Sequence, residues 1–237
     1  MLLFHFCSFI RTIELFSLIT QLVRFSIAFF SFLMLGGSKH LKENIYINNL
    51  GYISQHLEFT NLTYYYTFLH FIGAIFWVCG LLFQKFVMWR MKKYPNYWMK
   101  SHTIIGYFLI ANAFVMVFFG IIKTNTQKFM EIRIFFYLIS VGLYFSTSIG
   151  LFYAMGLCGK KNMKELHAFW LTLGVETPVI ISLWTEWTIS FLQSDMFNLV
   201  SLFIQDEEIR WRFGELIGLW ISVIIYVPFF SIPNFCK

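Results

Sequence analysis

Charged residues are scarce in this chain: they make up 13% of its 237 residues, while hydrophobic residues make up 58%. A soluble domain carries about 25% charged and 45–50% apolar residues, so the composition argues against a soluble enzyme or a disordered protein. The 18 basic residues against 12 acidic ones are too few to coat a nucleic-acid groove. The sequence therefore predicts an integral membrane protein in contact with the lipid bilayer and without a nucleic-acid partner.

Catalytic motifs are absent as well. The chain has no GxxxxGK(S/T), GxGxxG, GxSxG or HExxH, so kinase, hydrolase and protease functions have no support. The four cysteines, at positions 7, 79, 158 and 236, are scattered without a CxxC pair. This spacing predicts neither a zinc site nor a disulfide framework, and we expect these cysteines to pack as small apolar residues.

Long apolar stretches are abundant, and a spanning helix needs about 20 such residues. We predict an all-α fold: a single polytopic transmembrane helical bundle of about six spans with a four-helix core. The predicted spans are residues 12–35, 64–89, 102–122, 132–158, 166–190 and 213–235.

The basic residues are distributed unevenly between the two sides of this arrangement. Ten lie on the side of the termini and seven on the other, so the positive-inside rule predicts termini in the cytosol or, in a mitochondrion, in the matrix. The 31 Phe residues suit an AT-rich genome such as that of a protist or an organelle. We therefore expect a mitochondrial inner-membrane location, and a five-span alternative with the N-terminus on the other side stays open.

Three histidines open predicted spans: His70 the second, His102 the third and His167 the fifth. Consecutive spans run in opposite directions, so the third and fifth spans begin on the same side. His102 and His167 are then expected to face each other, as the two axial ligands of a haem iron do. The alternative is that each histidine is simply interfacial.

Glycines follow these histidines at helical spacing, at positions 73, 106 and 174. A glycine on the histidine face leaves room for a porphyrin, but it also serves close helix packing. The sequence does not decide between the two roles.

The segments LHFIGAIFWVCGLLFQKFVMWR and MKSHTIIGYFLIANAFVMVFFGI, within residues 69–122, resemble the core of the cytochrome b561 family. That family has a histidine opening one span, an arginine at its end, and a lysine just before the histidine of the next span. His70, Arg90, Lys100 and His102 occupy matching places, although Lys100 lies two residues before the histidine instead of the family's three. His167 takes the place of the fourth family histidine. Uncharacterised bacterial membrane proteins share the same His-and-Gly pattern.

The resemblance implies haem b as the cofactor, but at one site at most. The family pairs its first histidine with its third, and the stretch FFYLISVGLYFSTSIG has no histidine. The remaining pair, His102 and His167, would ligate the iron. Arg90 and Lys100 would bind the haem propionates or an anionic donor.

Other polar residues fall inside apolar stretches. Glu176 lies deep in the fifth span, where a carboxylate is costly; it is a candidate for a proton or quinone role, or for a hydrogen bond across helices. Arg24 is expected to snorkel or to pair with a neighbouring subunit. Glu186 and Glu215 are expected near span ends.

Two functions remain open at this point. The first is a b-type cytochrome that accepts electrons from a quinone or an ascorbate-like donor. The second is a non-catalytic accessory subunit of a mitochondrial respiratory-chain complex, in contact with other membrane subunits and without haem. A transporter lacks support, because we detect no inverted repeat.

Overall fold

A computed structural model describes residues 2–34, 61–124, 130–156, 163–193 and 207–231. These residues form six long helices and no β-strand, and all six are long and apolar enough to cross a membrane. The predicted all-helical bundle is therefore confirmed. The helices are α1 (Leu2–Met34), α2 (Asn61–Met91), α3 (Pro95–Thr124), α4 (Met130–Ala154), α5 (Met163–Leu171, Thr172–Glu176 and Thr177–Gln193) and α6 (Glu207–Ile221, Ser222–Tyr226 and Val227–Ser231).

The largest boundary difference is at α1, which begins ten residues before the predicted start of the first span. Arg11 and Glu14 suggested a polar flank, yet both lie within the helix, and Glu14 is buried there. At α4 the helix ends at Ala154, and Gly156 follows with a φ of 68°. Glycine adopts this left-handed conformation without a steric penalty, as is common just after helix ends. Predicted span residues 35, 157–158 and 232–235 lie outside the described residues.

Helices α2 and α3 form an antiparallel pair joined by a tight connection. The backbone N–H groups of Lys93 and Tyr94 donate to the carbonyl of Arg90 at 3.1 and 3.0 Å, and Pro95 then starts α3. Proline suits a first helical position because its fixed φ is already helical and that position needs no N–H donor. The connection places the end of α2 beside the start of α3. We call the end of the bundle where α3 and α5 begin the histidine end.

Helix α5 occupies a central place, with contacts to α1, α3, α4 and α6. The largest apolar cluster is buried between α1, α2, α3 and α5, with Phe230 of α6 closing it. It includes Leu18, Trp77, Val78, Ala113 and Ile180. A second, smaller cluster joins α4 to α6 through Phe135 and Leu219.

Two helices contain a π-helical turn, at Thr172–Glu176 in α5 and Ser222–Tyr226 in α6. Each turn ends two residues before a proline, Pro178 or Pro228. A proline inside a helix has no N–H to donate to the carbonyl four residues earlier, which accounts for a local change of hydrogen-bond register. In α5 the carbonyl of Val175 accepts a hydrogen bond from Trp77 Nε1 of α2 at 2.8 Å, so the irregular turn is fastened to a neighbouring helix.

The cysteines depart in part from the expectation. Cys79 is free and exposed. Cys7 is buried, but it is disulfide-bonded, so the prediction that it only packs as a small apolar residue was wrong. Isolated cysteines far apart in a sequence give no spacing signal for such a bond.

Candidate functional site

A cavity of about 250 Å³ lies at the histidine end, between α2, α3, α4 and α5. His102 of α3 and His167 of α5 both line it. The two helices begin there and run in the same direction, which is why the two histidines reach a similar depth. Other lining residues are Gln84, Gly106, Tyr153 and Leu171.

The two imidazole rings are adjacent, with centroids 6.5 Å apart and planes 82° from each other. A metal–imidazole bond is about 2.0 Å long, and a ring nitrogen lies about 1.2 Å from its ring centroid. Two rings that bind one metal ion from opposite sides are thus expected to have centroids about 6.4 Å apart. The spacing of His102 and His167 is compatible with a single shared iron.

The Nδ1 atoms of both histidines have partners. His102 Nδ1 lies 2.7 Å from Nε2 of Gln84, and His167 Nδ1 lies 3.4 Å from the carbonyl oxygen of Gly150. Within the described part of the chain, no hydrogen bond reaches the Nε2 atom of either ring. Metal-binding histidines typically use one ring nitrogen for the metal and donate the N–H of the other to an acceptor. His167, beside the Gly150 carbonyl, follows this pattern, whereas the Gln84 amide nitrogen donates to His102 Nδ1.

Gln84 bears on which tautomer His102 adopts. An Nε2 atom that binds a metal must lack its proton, so Nδ1 must then carry the proton and donate it. Gln84 Oε1 is a buried acceptor without a hydrogen-bond partner among the described residues. Rotation of this amide by half a turn would bring Oε1 to Nδ1, with loss of the hydrogen bond that Nε2 donates to the His102 carbonyl at 3.4 Å. The residue can therefore support the tautomer that a metal requires.

The glycines divide between the two roles that the sequence left open. A Cβ at position 106 would have only Gln84 within 4 Å, at 3.8 Å, so Gly106 leaves space in the cavity. A Cβ at position 174 would lie 2.7 Å from the backbone nitrogen of Thr147, and one at position 73 would lie 2.5 Å from Met116 Sδ. Gly73 and Gly174 thus serve close helix packing, and only Gly106 lies on the cavity wall.

The remaining residues singled out from the sequence do not line the cavity. His70 is near the other end of α2, where its ring contacts those of Phe25 and Phe71. The guanidinium of Arg90 lies over the Phe86 ring at 5.8 Å, and Lys100 is exposed. A role for Arg90 or Lys100 toward propionates or an anionic donor stays a prediction.

Glu176 belongs to a second polar cluster, which joins three helices. Lys85 of α2 forms an ion pair with Glu176 of α5, and its Nζ lies 3.5 Å from Oε2 of Glu14 in α1. Glu176 thus makes a polar contact across helices, and its partner is a charged side chain. We call Glu14, Lys85 and Glu176 the carboxylate–lysine triad.

Arg24 forms an ion pair with Glu186 of α5, so a partner for Arg24 lies within the chain and no neighbouring subunit is needed for one. Its Nη1 also donates to Gln21 Oε1 at 3.3 Å, and Gln21 in turn donates to the carbonyl of Val179 at 3.0 Å. One face of α1 is thus attached to α5 by polar contacts. The expected position of Glu186 near a span end does not indicate this partner.

Three functional candidates were missed: Gln84, Lys85 and Glu14. Gln84 and Lys85 form a polar pair inside the apolar run GLLFQKFVMW, which is the signal that could have indicated them. Glu14 lies near the start of the predicted first span, where a carboxylate is expected at the membrane surface rather than in the interior. Glu215 was expected near a span end, yet only 4% of it is exposed, because the helix face that carries it packs inward.

No known protein family matches the chain, and no characterised protein or solved structure is significantly similar to it. The cytochrome b561 resemblance therefore rests on the residues quoted above. Among the described residues, no group of three or more His, Cys, Asp or Glu side chains could hold a metal ion. Any metal at the cavity would depend on the two histidines and on ligands that a cofactor supplies.

Proposed function

We propose that the chain is a b-type cytochrome of an electron-transport membrane, with one haem held between His102 and His167. The observation that carries this proposal is the histidine pair itself, with ring centroids 6.5 Å apart and both Nδ1 atoms occupied by other contacts. Gln84 and the carbonyl of Gly150 would fix the two rings. When bound, a haem supplies reversible one-electron transfer at its iron.

The proposed electron donor is a quinone or an ascorbate-like molecule that arrives at the histidine end. Arg90 and Lys100 lie near this end of α2 and α3 and would attract an anionic donor or the propionates. The cavity is small, since ligand pockets usually measure about 300–1,000 Å³. Its exposed lining residues Met99 and Tyr107 are the side chains that would move to admit a macrocycle.

An absorption spectrum of the purified full-length protein tests the proposal. We expect a Soret band for the wild type, loss of that band in His102→Ala and His167→Ala, and an unchanged band in the control His70→Ala. The control is matched because the same side chain is removed from the same bundle, but away from the cavity. A wild-type protein from its native membrane without a Soret band, or a His167→Ala variant with full haem content, would refute the proposal.

The second candidate function is a haem-free accessory subunit of a respiratory-chain complex in the mitochondrial inner membrane. The small cavity volume and the filled space beside Gly174 favour it, because both reduce the room for a porphyrin. This function predicts co-migration with a larger complex on a native gel and no haem absorbance from the chain. Migration as a lone monomer would contradict it.

A further inference from the structure

The carboxylate–lysine triad has more acidic than basic groups. Lys85 contacts both Glu14 and Glu176, and the three side chains come from three different helices. The exposed fractions of the side chains are 6% for Glu14, 15% for Glu176 and 30% for Lys85. If all three groups were ionised, the site would hold a net negative charge largely shielded from water, which is costly within a membrane.

The other charged groups around the triad do not remove this excess. Among the described residues, Arg11 is the remaining charged group that acts on Glu14; it lies about one turn earlier on α1 and is exposed. Lys85 forms its ion pairs with Glu176 and Glu14. A single ammonium group therefore serves two carboxyl groups in the interior.

We propose that the triad is an intramembrane proton-binding site, at which Glu14 and Glu176 share one exchangeable proton while Lys85 remains an ammonium. Two largely buried carboxyl groups that contact a single ammonium resist double ionisation, so one of them keeps its proton. On release, the O–H bond of the protonated carboxyl breaks, both bonding electrons stay on the carboxylate and the proton passes to water. The proposal does not depend on haem.

The side chain of Lys85 indicates where the proton enters. It is the most exposed member of the triad and lies six residues before the end of α2 at Met91, or about 9 Å along the helix axis. This end of α2 is the histidine end. Exchange with water is therefore expected from the histidine end rather than from the opposite side of the membrane.

Infrared spectroscopy of the full-length protein in lipid vesicles at pH 7 tests the site, because a protonated carboxyl has a C=O stretching band that a carboxylate lacks. We expect Glu14→Gln to lose the band of one carboxyl, since Glu176 and Lys85 then form a one-to-one ion pair. Glu176→Gln should lose the same amount for the same reason. The double variant should lose no more than either single variant.

The matched control is Glu186→Gln. Glu186 lies in the same helix as Glu176 but pairs one-to-one with Arg24, so its substitution should leave the band unchanged. No loss of the band in either triad variant would mean that both carboxyl groups are ionised, and this overturns the proposal. A double variant that loses twice as much as the singles would mean two independent protons, which also overturns it.

Transfer of the wild-type vesicles into D₂O tests whether the proton exchanges. We expect the band that is absent from Glu14→Gln to move to lower frequency, as deuterium replaces the shared proton. A band that stays in place would show a trapped proton and would refute the exchangeable site. Because these measurements need no cofactor, their failure is separate from failure of the haem proposal.

Discussion

The closest helix contact near the cavity offers a direct test of the packing between α4 and α5. A Cβ at position 174 would lie 2.7 Å from the nitrogen and 3.0 Å from the Cα of Thr147, whose backbone cannot move aside without α4. Ordinary van der Waals contact begins at 3.4 Å. Gly174→Ala therefore requires the Thr147 backbone nitrogen to move about 0.7 Å farther from position 174. Overpacking of this kind lowers the free energy of unfolding by about 1–3 kcal/mol.

The matched control for this substitution is Gly142→Ala in α4. A Cβ at position 142 would meet no atom within 4 Å, so only the intrinsic helix preference for alanine acts there, and it favours the variant by up to about 1 kcal/mol. Both substitutions add one methyl group to a helical glycine. Their difference therefore isolates the contact with Thr147.

Thermal unfolding of the detergent-purified protein, followed by circular dichroism, measures this difference. For a chain of this length, 1 kcal/mol corresponds to a Tm change of about 2–4 °C, so Gly174→Ala should unfold about 2–12 °C below the wild type. Gly142→Ala should unfold at or slightly above the wild-type temperature. Equal Tm values for the two variants would refute the proposed close approach of α4 and α5.

Two further predictions concern the polar contacts that α5 makes with α1 and with α2. Glu186→Leu removes the carboxylate that pairs with the Arg24 guanidinium, and we expect the free energy of unfolding to fall by about 1–3 kcal/mol. The double variant Arg24→Leu/Glu186→Leu should lose less stability than the two single variants combined. Additive losses in this double-mutant cycle would contradict the ion pair. Trp77→Phe removes the hydrogen-bond donor to the Val175 carbonyl and should lower the free energy of unfolding by about 1–3 kcal/mol. The control Trp220→Phe, at a residue that is 54% exposed, should change it by less than about 0.5 kcal/mol. Equal effects at the two tryptophans would argue against this hydrogen bond.

Much of the helical architecture could be predicted from the sequence, because a spanning helix is specified locally by about 20 apolar residues. The histidine pair could also be predicted, since alternating span direction alone places the starts of the third and fifth spans at one end. Helix ends were less predictable. Helix α1 begins ten residues before the predicted span, and its Glu14 contacts Lys85 on α2, a partner 71 residues away that no local pattern indicates.

The glycines show a similar division between local and non-local information. The spacing of Gly106 and Gly174 from the histidines left open whether each glycine makes space for a cofactor or allows close helix packing. Gly106 lies on the cavity wall, whereas Thr147 occupies the space beside the Cα atom of Gly174. The difference depends on how closely α4 approaches the π-helical turn of α5, which in turn depends on Pro178 and on packing. Periodicity along one helix does not carry this information.

One turn of α2 connects the two polar sites. Adjacent residues of a helix point about 100° apart, so Gln84 reaches His102 of α3 while Lys85 reaches Glu14 of α1 and Glu176 of α5. The two side chains thereby attach three other helices to the same turn at the histidine end. A charged or amide side chain near the end of an apolar run usually lies at the membrane surface. Here Gln84 and Lys85 instead make polar contacts between helices of the bundle. The sites remain separable, because Gln84 has no contact with the carboxyl groups of the triad among the described residues and Lys85 does not line the cavity.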